Sequence, residues 1–415
     1  MTETSPDSHV VRRRHVFYVA GYDPVSAQDQ HRRFVRQLGI FKQTWNVQAS
    51  ASGLENPISN PCWSTTAEGP NWRTEAVVEL LPWDDLVNND AAGSRVVRLL
   101  RGLIAYLNLI WTGTLFRYAI ANQRYLLFAL APLAEAVLLG AVSWWAAFFL
   151  ASRTGWPPAL EVALAVVGGF GLFLVLLEWP GRRWRIYQAL DDWILSLDYI
   201  YRKRPDLEAR LEQFAKRIAA EAAGGKAEEI VVLGHSLGAT FAIDAMARAL
   251  ASDPDLGRHG RSLSLVTVGA TIPKCALHPG AHELRARVKS VADEPSIYWV
   301  EYQSRADPIS FYRFHPVLLQ RITGKKEGLD GQPHIRRVHI KEMLQPATFA
   351  KYRLRPMRIH YQFVMANERR STYDYFMMVC GPLPVATWTT SPLGLLDFFG
   401  DAQDAAVAQP PGSSS

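Results

Sequence analysis

Short apolar runs closed by glycine or proline alternate along this chain with longer segments of helical spacing. "HVFYVAGYDP" (15–24) reads as a buried strand ending at Gly21, and "AQDQHRRFVRQLGIF" after it as a helix. "TWNVQAS" and "EAVVELLPW" are further strand candidates, the second stopped by Pro82. Later, "IYQALDDWILSLDYIYRK" and "DLEARLEQFAKRIAAEAAGG" have helical spacing, the second ending in a glycine pair suited to a C-terminal cap. The strand "EEIVVL" follows, then a helix to about Leu250, then the strands "SLSLVTVGA" and "SIYWVEYQ". The run "RRVHIKEML" alternates and reads as one more strand. Strands alternating with helices predict the α/β class: a mostly parallel sheet covered by helices on both faces.

Two stretches break the pattern. Residues 125–152, "YLLFALAPLAEAVLLGAVSWWAAFFLAS", carry one charge, Glu135, and residues 159–177, "ALEVALAVVGGFGLFLVLL", carry one, Glu161. At 1.5 Å per helical residue each is long enough to cross a hydrocarbon core of about 30 Å. Neither has the polar face of a soluble surface helix. The link "RTGWPP" makes them a hairpin, with transmembrane helices expected at about 125–152 and 157–179. Arg117 and Arg124 precede it and Arg182, Arg183 and Arg185 follow, whereas the link has only Arg153. That bias places both ends, and with them both termini, in the cytoplasm at an inner membrane. Tyr125, Trp156 and Trp179 stand where interfacial aromatics do. Two spans are too few to enclose an ion pathway, and neither has a polar stripe, which argues against a channel or transporter. Ahead of the hairpin, "RGLIAYLNLIWTGTLFRY" (101–118) mixes apolar residues with arginines and reads as an interfacial helix or the approach to the membrane.

The expected division is therefore 13–95 and 185–395 for two parts of one α/β domain, 96–184 for the membrane insertion, and disordered ends at 1–12 and 396–415. Composition changes this little. The 415 residues carry a formal charge of +6, with the densest arginines flanking apolar segments, which favours a membrane surface over nucleic acid. Three distant cysteines, Cys62, Cys275 and Cys380, match no metal-ligand spacing and read as reduced thiols. No metal or cofactor is expected.

The candidate chemistry lies in "IVVLGHSLGATFAIDAMA" (230–247), where a buried strand passes through Gly-His-Ser-Leu-Gly into a helix. A Gly-x-Ser-x-Gly alone is a weak signal; the strand before and the helix after sharpen it. On a tight strand-to-helix corner Ser236 displays its hydroxyl. Larger side chains at Gly234 and Gly238 would collide with neighbouring backbone. The helix N-terminus, with the Leu237 N–H, points partial positive charge at an oxyanion forming there. His235 should project away from the serine and act in packing rather than as the base.

This corner resembles the nucleophile elbow of the α/β-hydrolase superfamily, and its GHSLG form is most similar to the class 3 lipases and related esterases. The resemblance covers residues 15–90 and 185–380 as a pattern of elements, with only the serine corner as a specific motif. It implies an α/β-hydrolase-type, mostly parallel sheet flanked by helices and interrupted here by the transmembrane hairpin. It also implies the chain order nucleophile, acid, histidine, and a second oxyanion donor after an early strand, the backbone of Tyr22. Asp307, in "SRADPIS" after the strand "SIYWVEYQ", resembles the family's acid; its alternative is an Asx turn before Pro308. Asp293 and Asp244 are poorer placed. For the base, His315, His334, His339 and His360 all follow Asp307; the family's placement after the last strand favours His360, with His339 and His334 open. The family's usual neighbouring tyrosine is matched only by the directly adjacent Tyr361.

Together these features imply a membrane-anchored serine esterase cleaving carboxylic, lipid-like esters. The same residues would serve a thioesterase or acyltransferase. A non-catalytic membrane scaffold on the same fold is the alternative outside enzymology.

Overall fold

The structure is a computed structural model and describes residues 10–323 and 331–399. Packing divides the chain into two units: Asn88–Tyr201, and the residues before and after that insertion. The boundaries expected from sequence, 95 and 185, both fall inside the inserted unit, so the helix at 186–200 counts with the insertion.

The discontinuous unit is built on an eight-stranded sheet of order β10-β7-β6-β5-β1-β4-β3-β2. Its strands are β1 (Arg13–Val19), β2 (Gln48–Ala51), β3 (Cys62–Gly69), β4 (Trp72–Leu80), β5 (Glu229–His235), β6 (Ser262–Val268), β7 (Ile297–Gln303) and β10 (His334–Arg337). A two-residue pair, β8 (Phe314–His315) and β9 (Gln320–Arg321), lies apart. The six strands from β10 to β4 are mutually parallel; β3 runs antiparallel to β4, and β2 to β3. The result is a mixed α/β fold with a mostly parallel sheet.

Burial explains why the central strands are unbroken apolar runs. All seven residues of β5 are buried, as a strand covered on both faces requires. One face carries α1 (Ala27–Trp45), whose Phe34 and Phe41 pack against Phe376. On the other, the helix following β5 packs against the helices at Pro205–Gly224 and His282–Ala292. Val11 is buried and donates its N–H to the Pro382 carbonyl (2.6 Å), while Leu396–Phe399 is a helical turn with Phe399 buried. The rest of the ends expected to be disordered, 1–9 and 400–415, lies outside the described residues.

Two sequence readings change. The hairpin partner β3 was not legible as a strand. Only Arg336 and Arg337 of the run "RRVHIKEML" belong to a strand, β10 (His334–Arg337), and His339 caps the short helix Ile340–Met343.

In the inserted unit we label α2 (Asp84–Ala91, entering it from the other unit), α3 (Arg95–Trp111), α4 (Thr114–Ala121), α5 (Gln123–Ala151), α6 (Pro158–Glu178), α7 (Pro180–Arg183) and α8 (Ile186–Ile200). Of these, α5 and the α6–α7 stretch are each long and apolar enough to cross a membrane, and α3 with α4 passes the same test only as a pair bent by 70° at their break. They pack through small residues. A Cβ on Gly169 would stand 3.4 Å from the Trp144 Cα and 3.6 Å from the Ala147 Cβ, so glycine lets the helices approach. Pro132 sits inside α5 without ending it. Helix α3 packs on α8 through Gly102, Ala105, Tyr106 and Leu109.

Candidate active site

Strand β5 leads into α9 (Leu237–Ser252) through a single residue, Ser236, with φ 58° and ψ −126°. A positive φ is costly for a residue with a side chain, of order 1–3 kcal/mol, and persists only where the surroundings impose it. Here they do. A Cβ on Gly234 would meet the Ala239 Cα at 2.5 Å, and one on Gly238 would sink into the carbonyl oxygens of Val19 and Ala20. Both glycines are needed because the corner folds back on the helix it starts and on the end of β1. From Glu229 to Ala247 every residue is buried except Ser236. The fold thus lifts one serine out of an otherwise closed segment.

The corner lies at the point where strand order reverses. Strands β1 and β5 are neighbours, and their next partners, β4 and β6, lie on opposite sides. Open parallel sheets bind ligands at such a crevice, beyond the carboxyl ends of the strands. Gly21, just after β1, faces Ser236 across it. A Cβ on Gly21 would lie 2.8 Å from the Ser236 Cβ and 3.3 Å from its Oγ. The loop carrying Tyr22 is therefore against the serine, and α9 opens at Leu237 with its first N–H groups free of intrahelical acceptors. Tyr22 itself packs edge-on to Trp83 (centroids 5.9 Å).

Asp307 follows β7 in the loop at that strand's carboxyl end and is buried. Its Oδ1 accepts the Ile309 N–H (3.0 Å), an Asx turn, while its Oδ2 accepts from His360 Nδ1 (2.8 Å). The turn and the pairing with histidine coexist. His360 lies near the end of α10 (Pro356–Tyr361), beyond the last strand of the sheet. With Nδ1–H donated to a carboxylate, the neutral ring presents Nε2 as an acceptor. That atom is buried with no hydrogen-bond partner among the described residues.

The turn after β6 holds serine and imidazole on the same ground. Ser236 N–H donates to the Val268 carbonyl (3.2 Å), and its carbonyl accepts the Thr271 N–H (3.3 Å). Between them, Gly269 has φ 53°, and a Cβ there would lie 3.1 Å from His360 Cε1. His235, next to the serine, is fully buried with its ring 4.6 Å from that of His360. Burial, and then the neighbouring imidazole, hold its pKa well below the ordinary histidine value. It stays neutral, and its Nε2–H donates to the His360 backbone carbonyl (3.2 Å), fixing the backbone that carries the other ring.

The remaining histidines are elsewhere. His334 is exposed and stacks on Tyr298 (4.8 Å), and His339 is exposed beside Glu342 (3.1 Å). His315 caps the N–H groups of Val317 and Leu318 with Nδ1. Asp244 is buried on α9 and bound by Arg248 (2.6 Å) and Arg287. Sequence reasoning did not identify Asp23, whose carboxylate accepts from the Tyr361 hydroxyl, nor Arg33, which lies over the Tyr361 ring (5.4 Å). This contact ties the loop after β1 to the segment carrying His360. Tyr361 and Asp23 are 338 positions apart, and no sequence pattern links them. Gly269, a glycine directly after a strand, carried a readable signal.

Among the described residues no group of three or more His, Cys, Asp or Glu is arranged to hold a metal ion. The three cysteines are free thiols. Comparison with protein-family models, with curated proteins and with solved structures finds no match to this chain.

Proposed function

We propose that the chain is a membrane-anchored serine hydrolase of α/β-hydrolase type, acting on carboxylic esters of lipids or similar amphiphiles from the inner face of the membrane. The observation that carries the reading is a serine at positive φ on a strand-to-helix corner, tied through the turn after β6 to a buried Asp–His pair whose outer nitrogen has no hydrogen-bond partner among the described residues.

In this reading His360 Nε2 takes the Ser236 proton as Oγ attacks the ester carbonyl. Asp307 holds the imidazole in the tautomer with Nδ1 protonated and stabilises the imidazolium. The oxyanion is met by the N–H of Leu237, at the positive end of α9, and by that of Tyr22. His360 returns the proton to the departing alcohol, leaving the acyl group on Ser236, and then activates water for its release. Support for a lipid-like substrate comes from the α5–α6 hairpin, which delivers the chain to a bilayer where acyl esters are concentrated.

The test is labelling of the detergent-solubilised protein with a fluorophosphonate, which reacts only with an activated serine. The wild type is expected to label and Ser236→Ala to stay unlabelled; equal labelling of both would sink the reading. A panel of lipid esters and thioesters on the same two proteins then identifies the bond cleaved.

A further inference from the structure

Helix α3 has a paired face and an apolar face. Its three arginines, spaced three apart, are all engaged within the inserted unit. Arg95 meets Glu178 (3.0 Å), Arg98 Nε meets Asp191 (3.0 Å), and Arg101 meets Asp198 (2.6 Å). The acids come from the end of α6 and from α8, so the basic ladder is matched rung by rung. A separate stripe, at spacings of three and four, is exposed: Val97 51%, Leu100 56%, Ile104 64%, Leu107 54% and Trp111 91%. Such a stripe repeats every 3.5 residues and covers one side of the helix.

We propose that α3 lies along the bilayer surface with this stripe in the acyl region, as a third membrane-embedded element parallel to the plane rather than across it. The inference rests on α5 and α6 crossing the bilayer. Three observations favour lipid as the occupant of this face.

First, α5 has 29 residues, about 44 Å, while α6 has 21, about 32 Å, which alone matches the hydrocarbon thickness. Gly140 lies near Phe173 and Gly169 near Trp144, so α6 opposes the later part of α5, and the first turns of α5 extend past it. Second, α3 is pinned at that extension: the Tyr106 hydroxyl donates to the Ala129 carbonyl (2.7 Å). That puts α3 at the membrane boundary, where amphipathic helices lie. Third, Leu127 of the same extension is 70% exposed, so apolar side chains stand open on α5 as well as on α3. Matching each arginine to a carboxylate lowers the cost of holding guanidinium groups at that depth.

The experiment places an environment-sensitive fluorophore on Val97→Cys, Ile104→Cys or Trp111→Cys. The background is full-length Cys62→Ser, with the buried Cys275 and Cys380 left in place. The protein is reconstituted into phosphatidylcholine–phosphatidylglycerol vesicles. Retention of the labelled chain after carbonate washing reads the crossing of α5 and α6 separately; loss from the vesicles overturns both ideas. Quenching is measured with nitroxides on shallow or deep acyl positions and with aqueous iodide.

The expected result is loss of emission from all three sites with the shallow nitroxide, at equal depth, and protection from iodide. Iodide quenching without nitroxide quenching leaves the face in water and overturns the proposal. A depth increasing from 97 to 111, by up to about 21 Å, makes α3 part of a span and also overturns it. Protection from both quenchers, with cross-linking between copies, assigns the face to a second chain instead and overturns it as well.

Discussion

Replacing Asp307 by asparagine tests the proposed chemistry with the least change in shape. The side chain is buried, and its two oxygens have distinct duties: one accepts from Ile309 N–H at 3.0 Å, the other from His360 Nδ1–H at 2.8 Å. Asparagine can keep the first contact through its carbonyl, which turns its NH₂ towards Nδ1. The imidazole must then accept at Nδ1 and carry its proton on Nε2, where it cannot take one from Ser236. In a serine–histidine–aspartate site this tautomer error lowers turnover about 10⁴-fold, equivalent to about 5.5 kcal/mol in the barrier. The lost charge-assisted hydrogen bond costs folding much less, about 1.5–3 kcal/mol. Catalytic loss should therefore far exceed the stability loss. The assay is the second-order rate of fluorophosphonate labelling, followed beside urea unfolding of wild type, Asp307→Asn and Ser236→Ala in one detergent. Near-wild-type labelling of a folded Asp307→Asn protein would refute the assignment of His360 as the base held by Asp307.

Three other outcomes follow from the geometry. Gly238→Ala should destabilise by about 3 kcal/mol or more, because the new methyl meets fixed carbonyls of Val19 and Ala20, read as a fall in melting temperature and folded yield. Glu301 is buried beside Gln303 and Thr267, and burial pushes its carboxyl up to about 8. The unfolded chain gives up this proton first as pH rises, so stability should fall by about 3–5 kcal/mol between roughly pH 4.5 and 8; Glu301→Gln should flatten that slope in urea titrations at pH 5 and 8. In the inserted unit, Asp191→Ala should cost about 2–4 kcal/mol because both partners are largely buried, whereas Asp198→Ala, facing a half-exposed Arg101, should cost no more than about 1 kcal/mol by thermal unfolding.

The elements around the serine were readable because burial there is complete. A strand covered on both faces must be apolar throughout, and a corner with glycines two positions either side of the serine has few other uses. The two long apolar helices were readable because they have almost no polar positions to obscure the pattern. Strand β3 was not, because "CWSTTAEG" keeps Trp63, Thr65 and Ala67 inside and serine, threonine and glutamate outside, and threonine on the inner face blurs the alternation. The reading of His339 as part of a strand failed where Val338 is buried but the chain turns into a helix. Contacts between distant segments left the weakest trace. The pairing of α3 with α8, which moves residues 186–200 into the inserted unit, depends on side chains about ninety positions apart. The Tyr361–Asp23 contact left no trace in either local pattern.

The position of the insertion also sets an order of events during synthesis. Strand β1 finds one neighbour, β4, before the hairpin is made, but its other neighbour, β5, comes only after it, with His15 opposite Ile230. A nascent chain stopped before residue 229 therefore holds an unfinished sheet with an open edge and no serine corner. Both long apolar helices have been translated before β5 exists to complete the sheet. The sheet-bearing unit matures last, and the serine corner forms only once the inserted helices have already been made.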